Sequence, residues 1–162
     1  IPFSSFHPEA APLLGLRNRP SLVITIENYA TFNRYVREID DNSLVIYTGG
    51  FASIGVVDLI RKIFELLVPA VPYYHWGDID PGGLRIFRFL EETLPHQPIP
   101  YLMDRSIAEA HGLPASPDPT LRSLSKTDSA VAGTAEWLAF GTNIKHLEQE
   151  ALDPISPTSL AQ

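Results

Sequence analysis

Glu27, Asp78 and Asp80 each come just after an apolar run, which makes them candidates for chemistry as well as for solvation. Glu27 directly follows Leu22-Val23-Ile24-Thr25-Ile26. Asp78 and Asp80 follow the run Val71 to Trp76 across Gly77. In extended geometry alternate residues project to one side, so Asp78 and Asp80 share a direction. Carboxylates brought close together repel and raise one another's pKa. A divalent cation relieves that repulsion, and hard oxygen donors with open water positions suit Mg²⁺ or Mn²⁺. An ion so held can act as a Lewis acid and activate a water. Each residue also has an ordinary reading. A Glu after a strand serves as a helix-start residue facing the macrodipole, and D-x-D-P-G serves as a turn with an N-cap. The case for chemistry rests on both features standing at equivalent strand ends.

Several further residues fall near this set. Gly49-Gly50 ends the second apolar run and either shapes a cleft for a close ligand or simply makes a turn. His75 adjoins the acidic motif, as a phosphate or metal contact or as a packed residue. Glu148 and Glu150 reach the site if a C-terminal helix brings them there, and otherwise form a solvated face. Arg85 and Arg88 follow the acidic motif on its helix. Arg34 and Arg37 follow Glu27 on the next one. All four are natural phosphate contacts if DNA crosses this edge, and equally ordinary surface arginines.

The elements that must position these residues can be read from periodicity. Leu22 to Ile26 is nearly continuous, apolar and β-branched, as in strands buried on both faces. Tyr29 to Ile39 turns helical, with Phe32, Val36 and Ile39 on one stripe. A second strand spans Leu44 to Tyr47. Ser53 is an N-cap for a long amphipathic helix ending near Val68. The third strand spans Val71 to Trp76, and Pro81 opens a helix running to about Leu94. A weaker fourth strand covers Ile99 to Met103. This alternation predicts an α/β fold: a mostly parallel sheet of about four strands flanked by helices, with ligands bound beyond the carboxyl ends of the strands.

Residues 1–20 carry Pro2, Pro8, Pro12 and Pro20 and read as a proline-rich arm or linker. The core spans 21–113. Residues 114–152 read as a linker followed by C-terminal helices, from about Asp128 to Leu152 with a break near Gly141. Residues 153–162 read as a frayed tail. The start at Ile1 rather than Met suggests a fragment cut from a longer chain.

Bulk properties set the outer bounds. With 162 residues, 44% hydrophobic and 19% charged, the chain suits one globular domain with a real core. No apolar run approaches the ~20 residues of a membrane-spanning helix, and the opening residues have no signal-peptide pattern. The absence of cysteine excludes disulfides and thiolate metal sites and fits a reducing compartment. The net charge of −7 argues against a stand-alone nonspecific DNA binder, although a metal-holding carboxylate cluster itself lowers that count.

The order strand–Glu27–Asn28, strand–Gly49–Gly50, then His75-Trp76-Gly77-Asp78-Ile79-Asp80-Pro81-Gly82-Gly83 resembles the Toprim domain of topoisomerases, primases and some nucleases. D-I-D-P-G-G is similar to the topoisomerase VI A-subunit branch. A closer resemblance is to the C-terminal domain of the nuclease subunit of Wadjet anti-plasmid systems. It is carried by Ile26 to Phe32, Tyr47 to Ser53, His75 to Gly83 and Leu147 to Leu152. The resemblance implies a Toprim-like (Rossmann-like) fold, with Glu27 as general acid/base or metal ligand and Asp78 and Asp80 as metal ligands. It also implies DNA as substrate, SMC-like motor subunits as partners and a bacterial cytoplasmic setting; a homodimer would suit cleavage of both strands. Topoisomerase VI relatives attack with a tyrosine on a separate winged-helix domain. The six tyrosines here read as aromatic packing, so chemistry would use water or a partner domain. Two alternatives stand beside this one. One is a noncatalytic Toprim-like module that binds DNA or a partner. The other is a phosphatase of the haloacid dehalogenase type, whose D-x-D ends the first strand rather than the third.

Overall fold

The computed structural model describes residues 15–159. Four parallel strands form the sheet, in the order β2-β1-β3-β4. These are β1 (Leu22–Ile26), β2 (Ser43–Tyr47), β3 (Tyr73–Trp76) and β4 (Ile99–Pro100). Between them run α1 (Tyr29–Glu38), α2 (Ile54–Leu66) and α3 (Pro81–Thr93). The expected parallel α/β sheet with flanking helices is therefore the architecture observed, consistent with a Toprim- or Rossmann-like fold.

Alternation along the strands explains how helices cover both faces. Val23 and Tyr73 join Ile60, Ile63 and Phe64 of α2 and Leu90 of α3 on one side. Leu22, Ile24, Ile26 and Trp76 join Tyr35 of α1 on the other. β1 is buried at every position, as its unbroken apolar run requires of a central strand. β2 lies at the edge, and Tyr47 at its end is exposed.

Helix starts follow their caps. Asn28, Ser53 and Asp80 each accept a backbone N–H three residues on, at Thr31, Val56 and Gly83. Pro81 occupies the first turn of α3, where no N–H is needed.

The C-terminal third departs from expectation. A short helix, α4 (Arg105–His111), follows β4, and 3₁₀ turns occupy residues 119–122 and 124–126 within the expected linker. Of the helical stretch expected from about Asp128 to Leu152 with a break near Gly141, only the part before the break forms, as α5 (Ala132–Phe140) capped at Gly141. Beyond Gly141 the chain is extended. β5 (Leu113–Pro114) pairs antiparallel with β6 (Lys145–His146), Leu147 bridges Ile79, and only a 3₁₀ turn follows at Gln149–Ala151. The reason lies in the alternation Leu147 buried, Glu148 exposed, Gln149 buried, Glu150 exposed, a period of two. α3, α5 and the 3₁₀ turns enclose a separate apolar cluster around Phe87, Leu121 and Leu138.

Both termini are anchored where they are described. Within the arm, Pro20 is buried and Arg19 donates to the carbonyls of Val68 and Pro69; the expectation for residues 1–14 lies outside the described residues. The tail does not fray across 153–159. Pro154, Ser156 and Pro157 are buried, and Tyr101 donates to the Ile155 carbonyl at 2.8 Å. Residues 160–162 lie outside the description.

Candidate carboxylate site at the sheet edge

Register brings the acidic residues together. Ile26 pairs with Tyr47 on one side and Trp76 on the other, so the residues after them leave the sheet at one edge. The last rungs are Thr48 N–H to Ile26 O (3.0 Å) and Glu27 N–H to Trp76 O (3.1 Å). Glu27 therefore stands at the end of the central strand, beside Gly77 and Asp78.

Gly77 is a close-approach glycine. A Cβ there would lie 2.7 Å from Glu27 Oε2 and 3.0 Å from His75 Nε2. The Glu27 carboxylate is thus seated directly against the turn that carries Asp78. Glu27 Oε2 is buried and has no hydrogen-bond partner among the described residues. Its pKa is pushed up from 4.5 to about 7, first by burial and then by the charges of Asp78 and Asp80, while the nearby Asp78 N–H pulls the other way.

Asp78 and Asp80 flank Ile79, which is 1% exposed and bonded in both directions to Leu147. Both carboxylates thus belong to an extended Asp-x-Asp whose middle residue faces the interior. Asp78 Oδ1 accepts the Gln149 N–H at 2.6 Å. Burial raises the Asp78 pKa, the Gln149 N–H opposes the rise, and Asp80, Glu148 and Glu150 add to it. Asp80 Oδ1 caps α3 through the Gly83 N–H at 2.7 Å.

Hard oxygen donors, one of them orphaned and buried, fit a divalent cation in chemical type. The finished cage is another matter. Among the described residues no group of three or more His, Cys, Asp or Glu side chains comes together so that it could hold a metal ion. The three carboxylates are electrostatic neighbours, with one oxygen of Asp78 and one of Asp80 already engaged by a backbone N–H.

A family model described as "Wadjet protein JetD, C-terminal" matches residues 7–158. The chain belongs to the JetD C-terminal family. It is also 37% identical over 83 residues to a Wadjet protein JetD of Bacillus cereus (strain Q1), a match covering 51% of this chain and 20% of that protein. The chain thus aligns with about a fifth of that relative's length.

Other candidate residues in this JetD-family domain are placed as follows. Gly49 and Gly50 take φ of +66° and +85°, so both serve a turn that L side chains adopt with strain. His75 is fully buried. Its Nδ1 contacts Thr25 Oγ1 at 2.9 Å, its ring packs on Phe87, and Nε2 has no partner among the described residues. As placed it faces the interior beside Glu27. Glu148 sits on an exposed turn, close enough to raise the Asp78 pKa. Glu150 accepts from Asn28 Nδ2 at 3.3 Å.

The arginines are engaged with acidic partners. Arg34 pairs with Glu38 and Asp153, and Arg88 with Glu91, Glu92 and Asp128. Arg85 donates to Thr120 and stands 4.0 Å from Asp118. Arg85 and Arg88 line a cavity of about 460 Å³ with Phe51, Phe89 and Leu124. None of the three carboxylates lines it.

Two residues near the carboxylates escaped sequence reasoning. Gly77 gave no signal apart from lying between a strand and an acidic motif. Gln149 was hidden by the helical reading of its segment, although the alternation around it is visible in the sequence.

Proposed function

We propose that this domain is the nuclease centre of a JetD protein, hydrolysing DNA phosphodiesters with Mg²⁺ or Mn²⁺ held by Glu27, Asp78 and Asp80. The observation that carries the reading is the buried, unpartnered Oε2 of Glu27 against Gly77, at the strand end beside two aspartates that raise its pKa. A bound divalent ion would supply charge neutralisation at the phosphate and a more acidic water.

The chain's own contributions follow from the geometry. Gly77 leaves room for the Glu27 carboxylate directly against the turn. In the metal-free domain Glu27 has a pKa raised to about 7, and a cation bound there would hold the carboxylate deprotonated, so binding would release a proton near neutral pH. Asp78 and Asp80 each keep one oxygen fixed by a backbone N–H, which sets the direction of the other. The D-x-D motif ends the third strand of the chain, so the haloacid dehalogenase arrangement is not the one adopted.

DNA would reach this edge with Arg34, Arg85 and Arg88 exchanging their acidic partners for phosphates. SMC-like subunits of a Wadjet complex would present it, in a bacterial cytoplasm. No described helix is long and apolar enough to cross a membrane.

The test is nicking of supercoiled plasmid by the full-length protein in Mn²⁺. Activity abolished by both Glu27→Gln and Asp80→Asn supports the nuclease. A folded protein that binds the metal and never cuts, even with its Wadjet partners present, favours the noncatalytic module.

A further inference from the structure

Gln149 is a polar residue, 1% exposed, with every hydrogen-bonding group of its side chain and its N–H committed at the carboxylate edge. Its Oε1 accepts the Asn28 N–H at 2.8 Å, and its Nε2 donates to the Trp76 carbonyl at 2.8 Å. Its own N–H donates to Asp78 Oδ1 at 2.6 Å. Asn28 follows Glu27, and Trp76 lies two residues before Asp78. The amide orientation is dictated by its partners, because a backbone N–H only donates and a carbonyl only accepts.

This bonding replaces sheet pairing where the sheet ends. The last rung between β1 and β3 is Glu27 N–H to Trp76 O. One residue further on, the chain turns into α1, and the Asn28 N–H has left the ladder. Gln149 takes up that N–H and bonds the Trp76 carbonyl as well, extending the β1–β3 connection by one side-chain rung. The rung is held in place by Leu147, whose N–H and carbonyl both bond Ile79, at 3.1 and 2.8 Å.

We propose that Gln149 is a positioning residue for the cation site, fixing the spacing of Glu27 and Asp78 from a segment 121 residues distant from Asn28 in sequence. The proposal rests on the reading that these carboxylates bind a divalent cation. Gln149 touches no substrate; it acts through Asn28, Trp76 and Asp78. Residues that orient metal ligands typically change metal affinity about 10- to 100-fold when replaced.

The experiment measures Mn²⁺ binding to the full-length protein by the loss of the free-ion EPR signal, alongside thermal midpoints in EDTA. The variants are Gln149→Met, Gln149→Asn, Asp78→Asn and, as a core control, Ile60→Val. The parent binds Mn²⁺ and Asp78→Asn binds it poorly. Gln149→Met takes the partner from the Asn28 N–H and the Trp76 carbonyl, so it lowers the midpoint, and it weakens binding about 10-fold or more. Ile60→Val lowers the midpoint without changing affinity. If Gln149→Met does not fold, Gln149→Asn carries the comparison, since it stays neutral and keeps an amide that is one methylene too short to bond both Asn28 and Trp76. Equal affinity of the parent and the folded Gln149 variant overturns the positioning role and leaves the metal reading intact. A parent that binds no Mn²⁺ overturns both.

Discussion

Glu27 Oε2 and the α-carbon of Gly77 are so close that a β-carbon on Gly77 would lie 2.7 Å from that oxygen. The carboxylate at the end of β1 and the turn after β3 are thus built against each other, and a substitution at either residue is felt at the other.

Gly77→Ala is the direct consequence. The new methyl would meet both Glu27 Oε2 and His75 Nε2, so the Glu27 side chain has to move. The expected stability loss is about 1–3 kcal/mol, as for other insertions into filled space. Plasmid nicking should fall at least ~10-fold, as expected for a displaced reacting group. Chemical denaturation and a nicking assay on the same preparation check the pair. Unchanged activity in a destabilised protein would remove Glu27 from the mechanism.

Asp80 has two roles that substitutions separate. Its Oδ1 caps α3, and its charge bears on Glu27. Asn caps as well as Asp, so Asp80→Asn should keep stability within about 0.5 kcal/mol, whereas Asp80→Ala should lose about 1 kcal/mol. Both should abolish metal-dependent cleavage. Activity retained in Asp80→Asn would mean that Asp80 is a cap and nothing more.

Glu27 gives the metal-free protein a pH dependence of definite sign. The folded carboxyl titrates near 7 against an ordinary 4.5, so between those values the folded state binds more protons than the unfolded one. Stability contributed by this group therefore falls as pH rises from 4.5 through 7. Glu27→Gln should be more stable than the parent at pH 8 in EDTA, by on the order of 2 kcal/mol, and equal to it below pH 4.5. Urea midpoints across that range measure this. A parent more stable than the variant at pH 8 without metal would contradict the burial argument.

His75 acts in the opposite sense. Burial lowers its pKa from 6.5 to about 3, so the unfolded chain binds the extra proton between those values. Its contribution is present in full above pH 6.5 and is lost as pH falls toward 3. His75→Gln should flatten the acid limb of the stability profile, measured by urea midpoints between pH 3 and 6.5. An unchanged limb would place the acid sensitivity elsewhere.

The sheet was legible because its signals are local. The nearly continuous apolar run of β1, the caps at Ser53 and in the D-x-D-P-G motif, and Pro81 mark their elements without reference to distant parts of the chain. The convergence of Glu27 on the Asp78–Asp80 turn followed from strand ends alone. What could not be read was long-range. Gln149 reaches Asn28 and Trp76 through a segment whose acidic residues suggested a solvated helix, and its strand-like alternation matters only once Ile79 is present to pair with it. The arginines were placed on the right helices, but their acidic partners Asp118, Asp128 and Asp153 come from elsewhere in the chain. Spacing carries no information about such pairs.

Anomalous diffraction at the manganese edge, from crystals of the full-length protein soaked in Mn²⁺, bears most directly on the central claim. The account predicts a peak within about 2.3 Å of a Glu27 carboxylate oxygen and of an oxygen from Asp78 or Asp80. A saturating soak that leaves all three carboxylates uncoordinated would contradict it.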